Sequence, residues 1–151
     1  MKRKIYLITL LLICFVPSLS FSQSLGLTIN PTSIVFPDAD PDTTPSISAP
    51  SVVIVSVSVS GIPANQTWRL IHRSNGNLQS GTQTIAITNV TWTATPQPPF
   101  RNGTMRTTNQ TAGSGTGNIS VNGNFQYFLR NQWTYRPGNY TASTTFTLSS
   151  P

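Results

Sequence analysis

The sequence predicts an all-β protein, an antiparallel β-sandwich of about seven to nine short strands, and three observations carry that prediction. Apolar and polar residues alternate with period two in several segments, and no window holds the 3.6-residue period of an amphipathic helix. Thr, Ser, Asn and Gln dominate the chain beyond residue 22, where Thr and Val suit a pleated, half-buried surface. Gly, Pro and Asn recur between the alternating runs, at the short spacing of turns in an all-β domain.

Taken in order, the chain opens with a targeting signal. Lys2, Arg3 and Lys4 form a positive n-region, Ile5 to Val16 a twelve-residue apolar core, and Ser20-Phe21-Ser22 a small-residue cleavage pattern before Gln23. Twelve apolar residues are too few to cross about 30 Å of hydrocarbon. Residues 1–22 therefore read as a secretory signal peptide and residues 23–151 as one domain. Cys14, the only cysteine, follows the bulky Ile13 rather than the small residue a lipidation site requires. The remaining 129 residues are cysteine-free, long enough to bury a core without disulfides, and point to a secreted or cell-surface protein of bacterial type. No further apolar run is long enough for a membrane span.

Leu25, Leu27 and Ile29 alternate before Pro31, and Ser33 to Phe36 reads as a short continuation. Asp38 to Pro50, with Pro41, Pro45 and Pro50, is expected to be a loop or a crossover between sheets. Val53, Val55, Val57 and Val59 point one way, against Ile54, Ser56, Ser58 and Ser60. Trp68 to Arg73 reads as a strand ending at the turn pair Asn75-Gly76, with Arg69 and Arg73 on the solvent phase. From Thr84 to Thr95 the phase changes between Ile87 and Val90, which places a bulge or turn near Asn89 and makes Trp92 a core residue. Met105 to Thr111 and Ile119 to Arg130 follow, with Gly113 to Gly117 expected as a separator and Asn122-Gly123 as a turn. A last strand spans Tyr140 to Leu148, with Tyr140, Ala142, Thr144, Phe146 and Leu148 on one phase.

Composition narrows the function. Charged residues are 8% of the chain, and removal of residues 1–22 leaves six Arg against three Asp, so the net charge falls from +6 to +3. With no Glu, Lys or Cys beyond that point, groups for acid–base chemistry are scarce. Asp38, Asp40 and Asp42 share one five-residue stretch and cannot flank a substrate, and no context nominates a nucleophile for His72. The reading is a non-enzyme without cofactor or metal. Alternate Asp residues can converge on Ca²⁺, yet the central Gly and closing Glu of such a loop are missing, so Asp38 to Asp42 reads as a solvated acidic loop. With Arg69 and Arg73 on one strand and Arg101, Arg106, Arg130 and Arg136 scattered elsewhere, no stripe for nucleic acid emerges. Trp133, Tyr135 and Arg136, beside the turn Arg136-Pro137-Gly138-Asn139, form the candidate ligand patch, with a glycan as the candidate ligand. Six N-x-S/T triplets, at Asn65, Asn89, Asn102, Asn109, Asn118 and Asn139, would be glycosylation acceptors only in a eukaryotic secretory pathway, and chance in a chain this rich in Asn and Thr accounts for most of them.

Tyr135 to Thr141, followed by alternation to Leu148, resembles the closing G-x-Y-T strand of pilin-type β-sandwiches, shared by spore-coat-U-like and chaperone–usher fimbrial subunits. Gly138 stands fourteenth from the C-terminus, as in the fimbrial subunits, whereas Ser150 replaces their penultimate aromatic and their disulfide is missing. The resemblance implies an immunoglobulin-like sandwich with a structural or adhesive role, whose partners are copies of itself or other surface proteins. It also implies a strand-exchange segment, and Leu25, Leu27 and Ile29 are its candidate. The same residues read as the first strand of their own domain, the reading given more weight here.

Overall fold

The computed structural model describes residues 22–151, so the signal-peptide reading lies outside the described residues except for Ser22. Eleven strands are present there: β1 Ser24–Asn30, β2 Ser46–Ser48, β3 Val53–Ser60, β4 Thr67–Ser74, β5 Leu78–Ser80, β6 Gln83–Ile85, β7 Val90–Thr95, β8 Gly103–Thr104, β9 Gln110–Thr116, β10 Ile119–Arg130 and β11 Thr144–Ser149. Seven of them run six residues or longer, and β2, β5, β6 and β8 are two- or three-residue pieces that periodicity does not register. All pairings are antiparallel, and no α-helix occurs among the described residues.

The first sheet has the order β1-β3-β10-β7-β8, with β2 also paired to β10; the second has the order β11-β4-β9; β5 and β6 form a separate hairpin. The two larger sheets share one core. From the first come Val53, Val55, Val57, Val59, Trp92, Ala94, Phe125 and Tyr127; from the second come Trp68, Leu70 and Ala112. Ring contacts cross between them, Phe125 on β10 meeting Phe146 on β11 edge to face at 5.6 Å.

The valine run behaves as its alternation requires, because each Val of β3 is buried while Ile54, Ser58 and Ser60 are exposed. The phase change near Asn89 is a single 3₁₀ turn, Ile87–Asn89, between the hairpin and β7. Other local expectations are corrected. Asp38 to Pro50 joins strands of one sheet, since β1 and β3 pair directly, and it contributes β2 on the way. Ser33 to Phe36 is not a strand, and the last strand begins at Thr144, because Thr141 instead bridges Gln79 of β5. Gly113 to Thr116 lies inside β9, and Asn122-Gly123 lies in the middle of the twelve-residue β10.

The physical reason for the last two corrections is the size of the rings they meet. Trp68 is paired with Gly115, Trp92 with Gly103 and Phe100 with Gly113. A Cβ on Gly115 would come 2.9 Å from the Trp68 indole, and one on Gly123 would come 2.6 Å from the Phe100 ring. Glycine therefore sits in these strands to leave room for a ring lying against the backbone, which is a tertiary requirement and not a turn. We expect Gly123→Ala to cost about 1–3 kcal/mol in urea unfolding through this overlap. Gly76→Ala, where an added methyl meets nothing within 4 Å, serves as the near-neutral control.

Candidate functional site

The candidate strand-exchange residues lie on β1, at the edge of the first sheet. Leu25 faces Val59, Leu27 faces Val57 and Ile29 faces Val55 of the same chain, a seven-pair register without interruption. Leu27 and Ile29 are half-buried against the core, whereas Leu25 keeps 40% of its surface exposed. Gly61, at φ +71°, turns the chain directly after β3, and its backbone packs beside Ser22, where a Cβ would collide. β1 has β3 on one side and no strand on the other among the described residues. The edge of the second sheet on the same side is β11, and the two edges approach one another. Neither β1 nor β11 contains Lys, Glu or Pro, the residues that commonly blunt an exposed edge. On the opposite sides the two-residue β8 borders part of β7, and Phe100 makes an isolated bridge to Gly113 of β9.

The candidate ligand residues are split by the structure. Trp133 is 69% exposed, and its indole N–H donates to Asp42 Oδ1 at 2.8 Å. Tyr135 is half-buried against the core, with its hydroxyl buried and unpartnered, and Arg136 is exposed. Burial raises the Tyr135 phenol pKa, and the nearby Arg130 charge opposes that rise. The acidic loop is a braced turn. Asp40 Oδ1 accepts the Asp42 N–H at 2.9 Å, and Asn131 Nδ2 donates to the carbonyls of Ala39 and Thr44 at 2.9 and 3.1 Å. Among the described residues no three His, Cys, Asp or Glu side chains gather as a metal-binding set. The link between Trp133 and Asp42, 91 residues apart, had no signal in the sequence.

His72 lies in the core rather than beside an aspartate. It is fully buried, stacks on Phe146 at 3.8 Å, meets Trp92 edge-on at 5.1 Å, and places Nδ1 3.5 Å from the Tyr127 hydroxyl. Its Nε2 has no partner. It shares the buried phase of β4 with Trp68 and Leu70. Desolvation lowers its pKa from 6.5 to about 4, and the same burial pushes the Tyr127 phenol up.

On the outer face of the first sheet, Thr28, Ser56 and Asn122 stand in one cross-strand row and Gly26, Ser58 and Ser120 in the next. An open hollow of about 460 Å³ on that face is lined by Val52, Ile54, Thr93, Thr95, Asn124 and Gln126, none of them ionisable. No helix among the described residues is long and apolar enough to cross a membrane. No protein-family model matches the chain, and no curated protein matches it significantly.

The burial of His72 generates a pH prediction. Its folded pKa lies below its unfolded value, so between pH 6.5 and about 4 the unfolded chain takes up a proton that the native state refuses. Stability is therefore full above pH 6.5 and falls as the pH drops through this window, by about 3 kcal/mol at 1.4 kcal/mol per pH unit. Urea unfolding from pH 7.5 to 4 should show this slope in the wild type, and His72→Phe should flatten it.

Proposed function

We propose that the protein is an exported, non-enzymatic structural or adhesive surface protein, an immunoglobulin-like sandwich that assembles by strand addition in the manner of a fimbrial subunit. The observation that carries this reading is the pair of unblocked edges, β1 and β11, on one side of the molecule. An edge strand offers unpaired N–H and C=O groups to a neighbour, and alternate side chains fill the space between the sheets. Leu25, Leu27 and Ile29 supply such a face on β1, and the exposed part of Leu25 is apolar surface that a neighbouring strand would cover. Strand order adds support, since β1-β3-β10-β7 and β11-β4-β9 each end, on the side where the two edges approach, in a strand with one partner. Export rests on the n-region, apolar core and cleavage pattern of residues 1–22.

One observation favours a second reading, a carbohydrate-binding module. Trp133 is held by Asp42 with most of its surface in solvent, and a fixed, exposed indole is a stacking platform for a sugar ring. Trp133→Ala should then remove binding on a glycan array; an array with no ligand for the wild type eliminates this reading.

Strand exchange is tested by covalent trapping. Leu25 and Val59 are register partners, and the only native cysteine, Cys14, lies in the signal segment. In the Leu25→Cys, Val59→Cys double variant, exchange of β1 between copies produces a ladder of intermolecular disulfides on a non-reducing gel, whereas addition at the free edges keeps the disulfide within one chain and is read from filaments. A single monomer band, together with no filaments by electron microscopy of the native host, sinks the strand-addition reading.

A further inference from the structure

The outer face of the second sheet brings a third arginine to the pair that the β4 alternation turns outward. On β4, Trp68, Leu70, His72 and Ser74 are buried, so Arg69, Ile71 and Arg73 form the outward row, with both arginines exposed. On β11, Ser149 stands opposite Arg69, Thr147 opposite Ile71 and Thr145 opposite Arg73. On the other side, β9 places Ser114 opposite Arg69 and Thr111 opposite Ile71. A third guanidinium joins from the segment after β7. Arg101 donates its backbone N–H to Ala112 O at 2.9 Å and its Nη2 to Ser114 Oγ at 3.4 Å, which brings it to the residue that faces Arg69. Arg101, which read as scattered, is thus on the sheet face of Arg69 and Arg73, which stand about 13 Å apart along the strand. None of the three Asp side chains serves them: all lie in the Asp38–Asp42 loop, where Asp40 accepts from the Asp42 amide and Asp42 from the Trp133 indole.

We infer that this face binds an anionic polysaccharide. The guanidinium groups are planar forks suited to carboxylate or sulfate groups spaced along a polymer, and the interleaved Thr111, Ser114, Thr145, Thr147 and Ser149 offer hydroxyls to ring hydroxyls. Single-stranded nucleic acid is disfavoured because its bases stack on aromatic side chains, and the only apolar side chain in the outward rows is Ile71. The site is separate from both the β1 edge and Trp133, so it stands whether or not strands are exchanged.

The test is isothermal titration of the protein with heparin and with polygalacturonate, at about 50 and about 200 mM salt, beside neutral dextran. Both anionic polymers should bind, the affinity should fall steeply with salt, and dextran should give no heat. R69Q/R73Q should weaken binding about tenfold, whereas R106Q/R130Q, which removes two charges from outside these rows and outside the Trp133 patch, should leave it unchanged. Equal losses in the two double variants would mean attraction by net charge alone and overturn the proposal. So would no binding to either polymer, tighter binding of an oligonucleotide of equal charge, or a wild-type self-association in sedimentation that R69Q/R73Q abolishes, which would assign the face to a second copy's acidic loop. The disulfide ladder does not depend on these arginines, so failure here and failure of strand exchange are read separately.

Discussion

Everything in this protein depends on large rings lying flat against bare backbone between two sheets. Trp68, Trp92 and Phe100 are each paired with a glycine, and each ring occupies the space a neighbouring side chain would have filled. A buried aromatic removes roughly 150–250 Å² from water, more than any aliphatic residue of the core offers, so an all-β protein of this size gains its driving force from few side chains. The condition is that the backbone opposite stays extended where glycine would otherwise invite a turn. That condition keeps β10 running unbroken through Gly123, where it holds β3 on one side and β7 on the other. It also keeps β9 extended through Gly113 and Gly115, which carries Ser114 to its place between Arg69 and Arg101.

The same condition decides which parts of the fold were legible in the sequence. Val53 to Ser60 could be read directly because burial on one face and solvent on the other impose the alternation with no exception. The outward arginines of β4 followed from the same rule. Asn122-Gly123 could not be read, because the pair is a good hairpin turn by local chemistry and the ring that overrides it comes from Phe100, more than twenty residues earlier. The β11 boundary was missed for a related reason: Tyr140 and Ala142 keep the apolar phase, yet Thr141 is drawn off to pair with Gln79. Candidate site residues divide in the same way. Leu25, Leu27 and Ile29 share one strand and kept their common face, whereas Trp133, Tyr135 and Arg136 are consecutive or nearly so and ended in three different environments.

Scarcity of charge shapes the surface as much as the rings shape the core. A sheet protein normally discourages edge pairing with lysine or an inward charge, and here β1 and β11 have neither. An open edge of this kind is a liability in a free monomer and an asset in an assembly, because seven residues of main chain are available at no cost in side-chain ordering. The two sheets also differ in what they show to the outside. The first presents Ser, Thr and Asn in rows, and the second presents Arg69, Arg73 and Arg101 among hydroxyls.

That difference gives the two proposals a common physical logic. Pairing along edges uses the sides of the sheets and leaves both outer faces uncovered, so a chain of subunits joined at β1 and β11 would repeat the arginine face once per subunit. A single face with three exposed guanidinium groups binds an anionic polymer weakly, since each exposed ion pair contributes about 1 kcal/mol or less. Repetition converts weak contacts into a strong one, because after the first face engages, the next meets its ligand at the effective concentration set by the spacing between subunits. A low-charge protein with a few well-placed arginines is thus better suited to holding a polyanion as a polymer than as a monomer. The small net charge of +3 on residues 23–151 also lets neighbouring copies approach without strong mutual repulsion.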